Sequence, residues 1–459
     1  MKIKLDENWT TNNNNVPLND EEVARYNAIL PNQNQIRLSQ KPFYVFIHFG
    51  MNTANNREWG NATEAVQDFD IKKINPAQWV STVKSAGATG LILTCKHHDG
   101  FCLWDTGTTD FCVTNSPFKK DIVKMVSDEC QKQGIDFGVY LSPWDMHEKT
   151  YGEKEYNDFF VRQLTELCTK YGELFEVWFD GAKGANAKSF VYDWERYYKI
   201  IRTLQPGANI AICGPDIRWV GNEGGKTRSS EYSVVPSYLA KSETIEKNSQ
   251  HCESDASSIK LLDSASEDLG SRNVLKSNAD LCWYPAEVDV SIRRGWFYHK
   301  NENLTVKSAK KLFDIYINSV GNNCTLLLNV PPNDRGVIAR RDVRALKKLG
   351  KKIDEITAFS VIQQNFGKLT EDNGYLEFRF DNVKSLKYCV LAENIADGQR
   401  VEKFDLYLLK PNGKYKRAYK GTVIGSKKII RLKGKCIGAL LIIRQSRSNP
   451  VLSQVGFYE

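Results

Sequence analysis

Apolar and polar positions along the 459-residue chain fall into two regimes that meet near residue 350. Up to that point, short apolar runs of strand length alternate with longer stretches whose apolar residues recur at helical spacing. Residues 43–49, 90–95, 137–141, 174–181, 209–213 and 325–330 read as strands. Between them, residues 76–86, 121–133, 156–170, 190–204 and 306–320 read as helices, followed by a basic amphipathic helix over 337–356. Start and stop signals agree with these bounds: Asn75-Pro76 supplies a cap and a first-turn proline, and Gly134 ends the helix that opens at Asp121. Such alternation means a parallel sheet, and over about 300 residues closure into a (β/α)8-like barrel fits better than a doubly wound sheet. Residues 224–300 break the pattern, and eight strands cannot be counted from it.

Beyond residue 357 the period changes. Short alternating segments at 375–380, 385–392, 404–409 and 437–443, separated by turn signals, are the pattern of an antiparallel sandwich. The expected architecture is therefore a (β/α)8-like barrel over 1–350 and a C-terminal β-sandwich over 351–459. The first 40 residues are polar and Asn-rich, with one amphipathic stretch at 20–26 and a low-complexity tract at 12–15.

Composition changes this picture little: 41% hydrophobic and 26% charged residues suit one large core and a second domain. The net charge of +8 is partly local, in the run from Ser426 to Lys435, where basic and apolar residues interleave as in a half-solvated strand. No nucleic-acid partner is expected. The 11 cysteines are scattered without metal-ligand spacing, and Cys95, Cys213 and Cys324 sit in apolar runs, which reads as buried thiols in a reduced compartment. The N-terminus has no apolar core of signal-peptide length, and no segment approaches the roughly 18 apolar residues of a membrane span. The expectation is a soluble, cytoplasmic protein, or a secreted or periplasmic one whose signal has been removed. Oligomeric state is not legible.

Chemistry gathers at strand ends. The run Leu174-Phe175-Glu176-Val177-Trp178-Phe179 ends on Asp180-Gly181, which puts a carboxylate at the C-terminal end of a strand, where a parallel barrel builds its site. Three of the six histidines lie at equivalent positions: His48 in Ile47-His48-Phe49-Gly50, and His97 and His98 in Lys96-His97-His98-Asp99-Gly100-Phe101. An imidazole donates from one nitrogen and accepts at the other, which suits vicinal hydroxyls. A metal reading competes, since His48, His97, His98, Asp99 and Asp180 could supply ligands. Adjacent strand residues point to opposite sides, however, so no metal and no cofactor is expected. Glu58-Trp59 and Tyr140 are further candidates to grip a sugar by a hydroxyl and a CH face. For a second catalytic carboxyl the residues alone leave Glu223, Glu231 and Glu287 open. Two carboxyls flanking a glycosidic bond would give hydrolysis.

Together, His48-Phe49-Gly50, Lys96-His97-His98-Asp99-Gly100-Phe101, Trp178-Phe179-Asp180-Gly181 and Leu327-Leu328-Asn329-Val330-Pro331-Pro332 resemble the family 29 glycoside hydrolases, the α-L-fucosidases. The resemblance covers about 40–345, with the tail similar to that family's β-sandwich. It implies an exo-acting, retaining double displacement with Asp180 as nucleophile. The segment Trp219-Val220-Gly221-Asn222-Glu223 is similar to the subfamily that prefers α-1,3 and α-1,4 fucosyl branches, in which the Glu is the acid/base. That role requires a raised pKa, which burial beside Asp180 would supply. By the same resemblance His48, Glu58, Trp59, His97, His98 and Tyr140 are fucose ligands, which requires the strand to have ended by His97. Trp296 is the aromatic near the sugar ring, and Glu287 a supporting or substrate-contacting carboxylate. Arg294 stands where a proline is expected before Gly295. The implied partner is a fucosylated, Lewis-type oligosaccharide or glycoconjugate. The alternatives are a broad-specificity α-L-fucosidase and a non-catalytic sugar-binding protein on the same scaffold.

Overall fold

The structure, a computed structural model, describes residues 17–459 apart from 185–186, 188, 243, 245–250, 253–265, 358–359, 365–366 and 369–373. Eight parallel strands form one sheet: β1 (Phe43–Ile47), β2 (Gly90–Lys96), β3 (Asp136–Leu141), β4 (Glu176–Phe179), β5 (Asn209–Ile212), β6 (Arg218–Trp219), β7 (Ala286–Ser291) and β8 (Cys324–Asn329). Their order is β5-β4-β3-β2-β1-β8-β7-β6, and a parallel bridge between Ala211 and Ile217 brings the two edges together. The expected barrel is present. Its strands are legible as apolar runs because both faces are covered: every residue of β1, β2, β4, β5, β7 and β8 is buried.

Helices Pro76–Ser85, Ile122–Gln133, Tyr156–Lys170 and Trp194–Leu204 connect β1 through β5, and Ala309–Ser319 connects β7 to β8. Asn75 and Gly134 cap as expected, the Asn75 side chain accepting from Gln78 N and Gly134 taking the left-handed conformation, while Asp121, expected in the first turn, is itself the N-cap and accepts from Lys124 N. Helix Gln33–Gln40 lies at the N-terminal mouth, where Leu38 joins Tyr44 and Phe46 in the barrel interior.

The second half of the barrel departs from the repeat. No helix separates β5 from β6: Ile212 adopts a left-handed φ of +66°, and its N–H donates to Ile217 O as the chain doubles back. Between β6 and β7 the chain forms a two-stranded antiparallel pair, Val234–Pro236 with Leu281–Trp283, and short helical turns. Elements this short leave the described residues between 224 and 285 without a helical or strand period.

After the helix Arg340–Asp354 the chain enters two antiparallel sheets. One is built on Tyr388–Glu393 and Val451–Tyr458, the other on Tyr375–Ser385, Lys435–Ser446, Val401–Leu409 and Tyr415–Gly421. A core of Phe378, Leu406, Leu441, Val455 and Phe457 lies between them. The run at 426–435 contains the strand Lys428–Arg431, in which Lys428 is buried and its ammonium donates to Asn322 Oδ1 at 2.6 Å. That contact, with Ile429 N to Gly321 O and Ser426 N to Asn323 Oδ1, fastens the sandwich to the loop before β8. Ten of the chain's cysteines are free thiols, nine of them buried. No helix among the described residues is long and apolar enough to cross a membrane.

Candidate active site

At the C-terminal end of the barrel, Asp180 follows the last residue of β4. Its Oδ2 accepts from the Tyr140 hydroxyl at 2.9 Å and its Oδ1 from Ala182 N at 2.8 Å. Tyr140, near the end of β3, is fully buried and stacks on Trp178 at 5.4 Å between ring centroids. The carboxylate is thus aimed by a rigid neighbour. Its side chain remains 24% exposed, enough to meet a ligand entering from above, and His98 Nε2 lies 3.9 Å from Oδ2.

Strand β2 ends at Lys96, so His97 and His98 belong to a turn and both rings face the cleft, 4.0 Å apart. Gly100 permits the turn: its φ is +84°, and a Cβ there would lie 2.4 Å from Asp145 Oδ1. Beneath it, Lys96 and Asp145 form a fully buried ion pair at 2.7 Å that ties the end of β2 to the loop after β3.

Hydrogen bonding sets the tautomer of each histidine. Asn329 donates through Nδ2 to Trp296 O and Ser291 Oγ, so its Oδ1 accepts from His48 Nδ1–H at 2.9 Å, and His48 Nε2 is left as an acceptor. Ser142 donates to Trp144 O, so His98 Nδ1–H donates to Ser142 Oγ at 2.7 Å, and His98 Nε2 is likewise an acceptor. His97 has the opposite sense: Nδ1 accepts from Asn52 Nδ2 at 3.4 Å, leaving Nε2–H to donate. Burial holds all three rings neutral, His48 at about 4, His98 at about 3 and His97 well below its usual value. A buried wall with two acceptors and one donor matches a cluster of sugar hydroxyls.

Glu223 enters from the loop after β6. It is exposed along one side because the cleft is open, yet its Oε2 accepts from Trp296 Nε1 at 3.3 Å. Desolvation within the cleft, and then the charge of Asp180, raise its pKa. Trp296 comes from the loop after β7, whose shape Glu58 sets. Glu58 accepts from Trp296 N, from Phe297 N at 3.3 Å and from His299 Nε2 at 2.8 Å. A Cβ on Gly295 would lie 2.6 Å from Glu58 Oε2, so only glycine lets this carboxylate approach. At Arg294 the backbone N–H donates to Thr305 Oγ1, a bond that a proline could not make. Trp59, 39% exposed, stands at the rim edge-on to His98 and Trp144.

The structure therefore brings Asp180, Glu223, His48, His97, His98, Tyr140 and Trp296 together around one cleft, with Trp59 at the rim and Glu58 tethering the Trp296 loop. It places Glu287 elsewhere. As the second residue of β7 it is fully buried in the barrel interior, accepting from Tyr44 Oη and from Trp178 Nε1 at 2.8 Å, beside Glu176. Burial lifts it to about 7. Glu231 is also withdrawn, clamped between Arg218 at 2.8 Å and Arg228 at 3.0 Å, which together hold its carboxyl low. Among the described residues no group of three or more His, Cys, Asp or Glu is placed to hold a metal ion. Asp289, two residues beyond Glu287 on β7, is a carboxyl near Glu223 that the sequence reading missed. The signal for it was the period of 2: Glu287, Asp289 and Ser291 share one face of the strand.

The alpha-L-fucosidase family matches residues 44–355 of the chain. Alpha-L-fucosidase 1 of Arabidopsis thaliana is 34% identical over 94% of this chain and 87% of its own length. A crystal structure from Bacteroides ovatus, provisionally assigned as an alpha-L-fucosidase, superposes with a TM-score of 0.86 at 40% identity, covering 97% of this chain and 76% of that one. A Ruminococcus gnavus family 29 fucosidase in complex with fucose gives a TM-score of 0.80 at 27% identity over 99% of this chain and 98% of its own. The family match, the full-length likeness and a carboxyl-bearing cleft at the C-terminal end of the barrel agree: this chain belongs to the α-L-fucosidase family of glycoside hydrolases.

Proposed function

We propose that the chain is an exo-acting, retaining α-L-fucosidase that releases terminal α-1,3- or α-1,4-linked fucose from branched, Lewis-type oligosaccharides. Asp180 attacks the anomeric carbon as the glycosidic C–O bond breaks, and Glu223 gives its proton to the departing oxygen. The β-fucosyl ester formed on Asp180 is then opened by water, whose proton returns to Glu223, and fucose leaves with its original α configuration. His48 and His98 accept, and His97 donates, to the fucose hydroxyls, while Glu58, Trp59 and Trp296 shape the rim. In this reading residues 1–350 are the catalytic unit and 351–459 a sandwich unit.

The observation that carries the reading is the contrast between the two carboxyls. Asp180 is held at the end of β4 by two hydrogen bonds, from the Tyr140 hydroxyl and from Ala182 N, whereas desolvation and the charge of Asp180 favour the proton on Glu223. This arrangement supports Asp180 as the group that attacks and Glu223 as the group that gives the proton.

The test pairs two substrates with two variants. Wild type is expected to turn over an α-1,3/4-fucosylated trisaccharide faster than 2-chloro-4-nitrophenyl α-L-fucoside. With azide, Glu223→Ala gives α-L-fucosyl azide and Asp180→Gly gives β-L-fucosyl azide, because azide replaces a different carboxyl in each. Fast aryl hydrolysis with little action on the trisaccharide would establish a broad-specificity enzyme. Absence of both azides would remove the role assignments, and no turnover of either substrate would leave a sugar-binding protein.

A further inference from the structure

Asp289 is 4% exposed and lies on β7 facing the barrel interior. Burying a carboxyl is costly unless a cation or several donors offset the loss of water. Several other buried acids of this chain meet that condition: Asp342 lies 2.7 Å from Arg293, Asp216 2.6 Å from Arg202, Asp145 2.7 Å from Lys96, and Glu231 sits between two arginines. Asp289 faces an indole instead. Its Oδ1 accepts from Trp219 Nε1 at 2.8 Å, and its charged neighbours are the carboxyls Glu223 and Glu287. A costly group kept beside a catalytic cleft asks for a role.

The position of Trp219 supplies one. Strand β6 is two residues long, and no helix packs between it and β5. Successive strand residues point to opposite sides, so each of the two can be locked from its own side. Arg218 takes one side, donating to Tyr284 O at 3.0 Å and pairing with Glu231. Trp219 takes the other, where Asp289 receives it. Val220 N then donates to Glu287 O at 3.0 Å, and the loop with Glu223 begins at Gly221, whose φ is +99°.

We propose that Asp289 is a positioning residue of the fucosidase reaction, which clasps Trp219 and so fixes the strand from which the acid/base Glu223 is presented to the leaving oxygen. The proposal rests on the reading of Glu223 as acid/base. A misplacement of about 1 Å at a reacting group can cost on the order of 100-fold. The defect would fall on the step that needs a proton donor and spare substrates whose leaving group departs unaided.

The test is the leaving-group dependence of kcat/KM for Asp289→Leu, Asp289→Asn, Trp219→Phe and the double variant Asp289→Leu/Trp219→Phe. Each is assayed on a fucosylated trisaccharide and on 2-chloro-4-nitrophenyl α-L-fucoside, with thermal melts alongside. Asp289→Leu is expected to lose about 10- to 100-fold on the trisaccharide and less than about 3-fold on the activated aryl fucoside. Asp289→Asn, which keeps an oxygen for the indole, recovers most of the loss. Trp219→Phe reproduces the defect, and the double variant is no worse than either single one. Equal losses on both substrates, additive effects in the double variant, or full activity in Asp289→Leu would overturn the proposal. Should Asp289→Leu not fold, Trp219→Phe and Asp289→Asn still decide it. Failure of the Glu223 reading is separate: Glu223→Ala would then show no leaving-group dependence of its own.

Discussion

On the side of the barrel built from β1 to β4, each active-site group is fixed by regular structure. Asp180, Tyr140, His97 and His98 all follow or end a strand with a helix packed behind it, and Tyr140 holds Asp180 while being fully buried itself. On the side built from β5 to β7 the helices among the described residues are missing or short. Glu223 stands on a loop after a two-residue strand, held by one long hydrogen bond from Trp296 and, behind it, by the Trp219–Asp289 contact. In the proposed mechanism the rigid side carries the nucleophile, whose bond to the anomeric carbon tolerates little displacement. The loop side carries the proposed acid/base, which would face the variable part of the substrate, and side-chain clasps there stand where helices stand elsewhere.

The most severe way to break this contrast is to remove the group on the rigid side. Asp180→Gly is expected to lose at least about 10³-fold in kcat, with an unchanged circular dichroism spectrum and thermal midpoint, since among the described residues its carboxylate accepts only from the Tyr140 hydroxyl and one backbone N–H. Residual turnover near the wild-type level would show that another carboxyl attacks.

This asymmetry also decides what could be read from the chain. Strands β1 to β4 announce themselves because parallel strands buried on both faces are continuous apolar runs, and their candidate site residues fall at the abrupt ends of those runs. Strand β6 has two residues, too few for any period, and the left-handed Ile212 that reverses the chain before it has no sequence signal, since a β-branched residue is the last one expected there. Glu223, Glu231 and Glu287 are each a Glu in a loop or run of similar character. What separates them is the company the fold brings: two arginines for Glu231, Tyr44 and Trp178 for Glu287, and the cleft for Glu223. The same applies to Glu58, which lies more than 200 residues from the loop it holds.

The outer lock on β6 is the next place to press. Glu231→Ala leaves Arg218 and Arg228 buried with no carboxylate between them, and a denaturant melt should show about 3–5 kcal/mol less stability. A melt indistinguishable from wild type would show that the second half of the barrel does not depend on that ion cluster. A smaller effect is expected on the rigid side from Tyr140→Phe. It removes one hydrogen bond to Asp180 and keeps the stack on Trp178, so kcat should fall by about 10- to 100-fold with little change in melting. A loss confined to KM would mean that Tyr140 serves the sugar and not the nucleophile.

The finest probe of the contrast is Trp296→Phe. The indole N–H donates to the Glu223 carboxylate, which stabilises its charged form and opposes the desolvation that raises its pKa. Removing the donor therefore raises the pKa of Glu223 further. Catalysis needs the protonated acid, so the alkaline limb of the kcat/KM profile, where that proton is lost, should move to higher pH. The shift should be about half a unit, because a 3.3 Å bond at the edge of an open cleft is weak. The same variant on the activated aryl fucoside should show a smaller shift, since that leaving group needs less help from the acid. A limb that moves to lower pH would mean that the indole acts on Glu223 mainly by shielding it from water, and that the loop side holds its proton by burial instead of by the balance of donors around it.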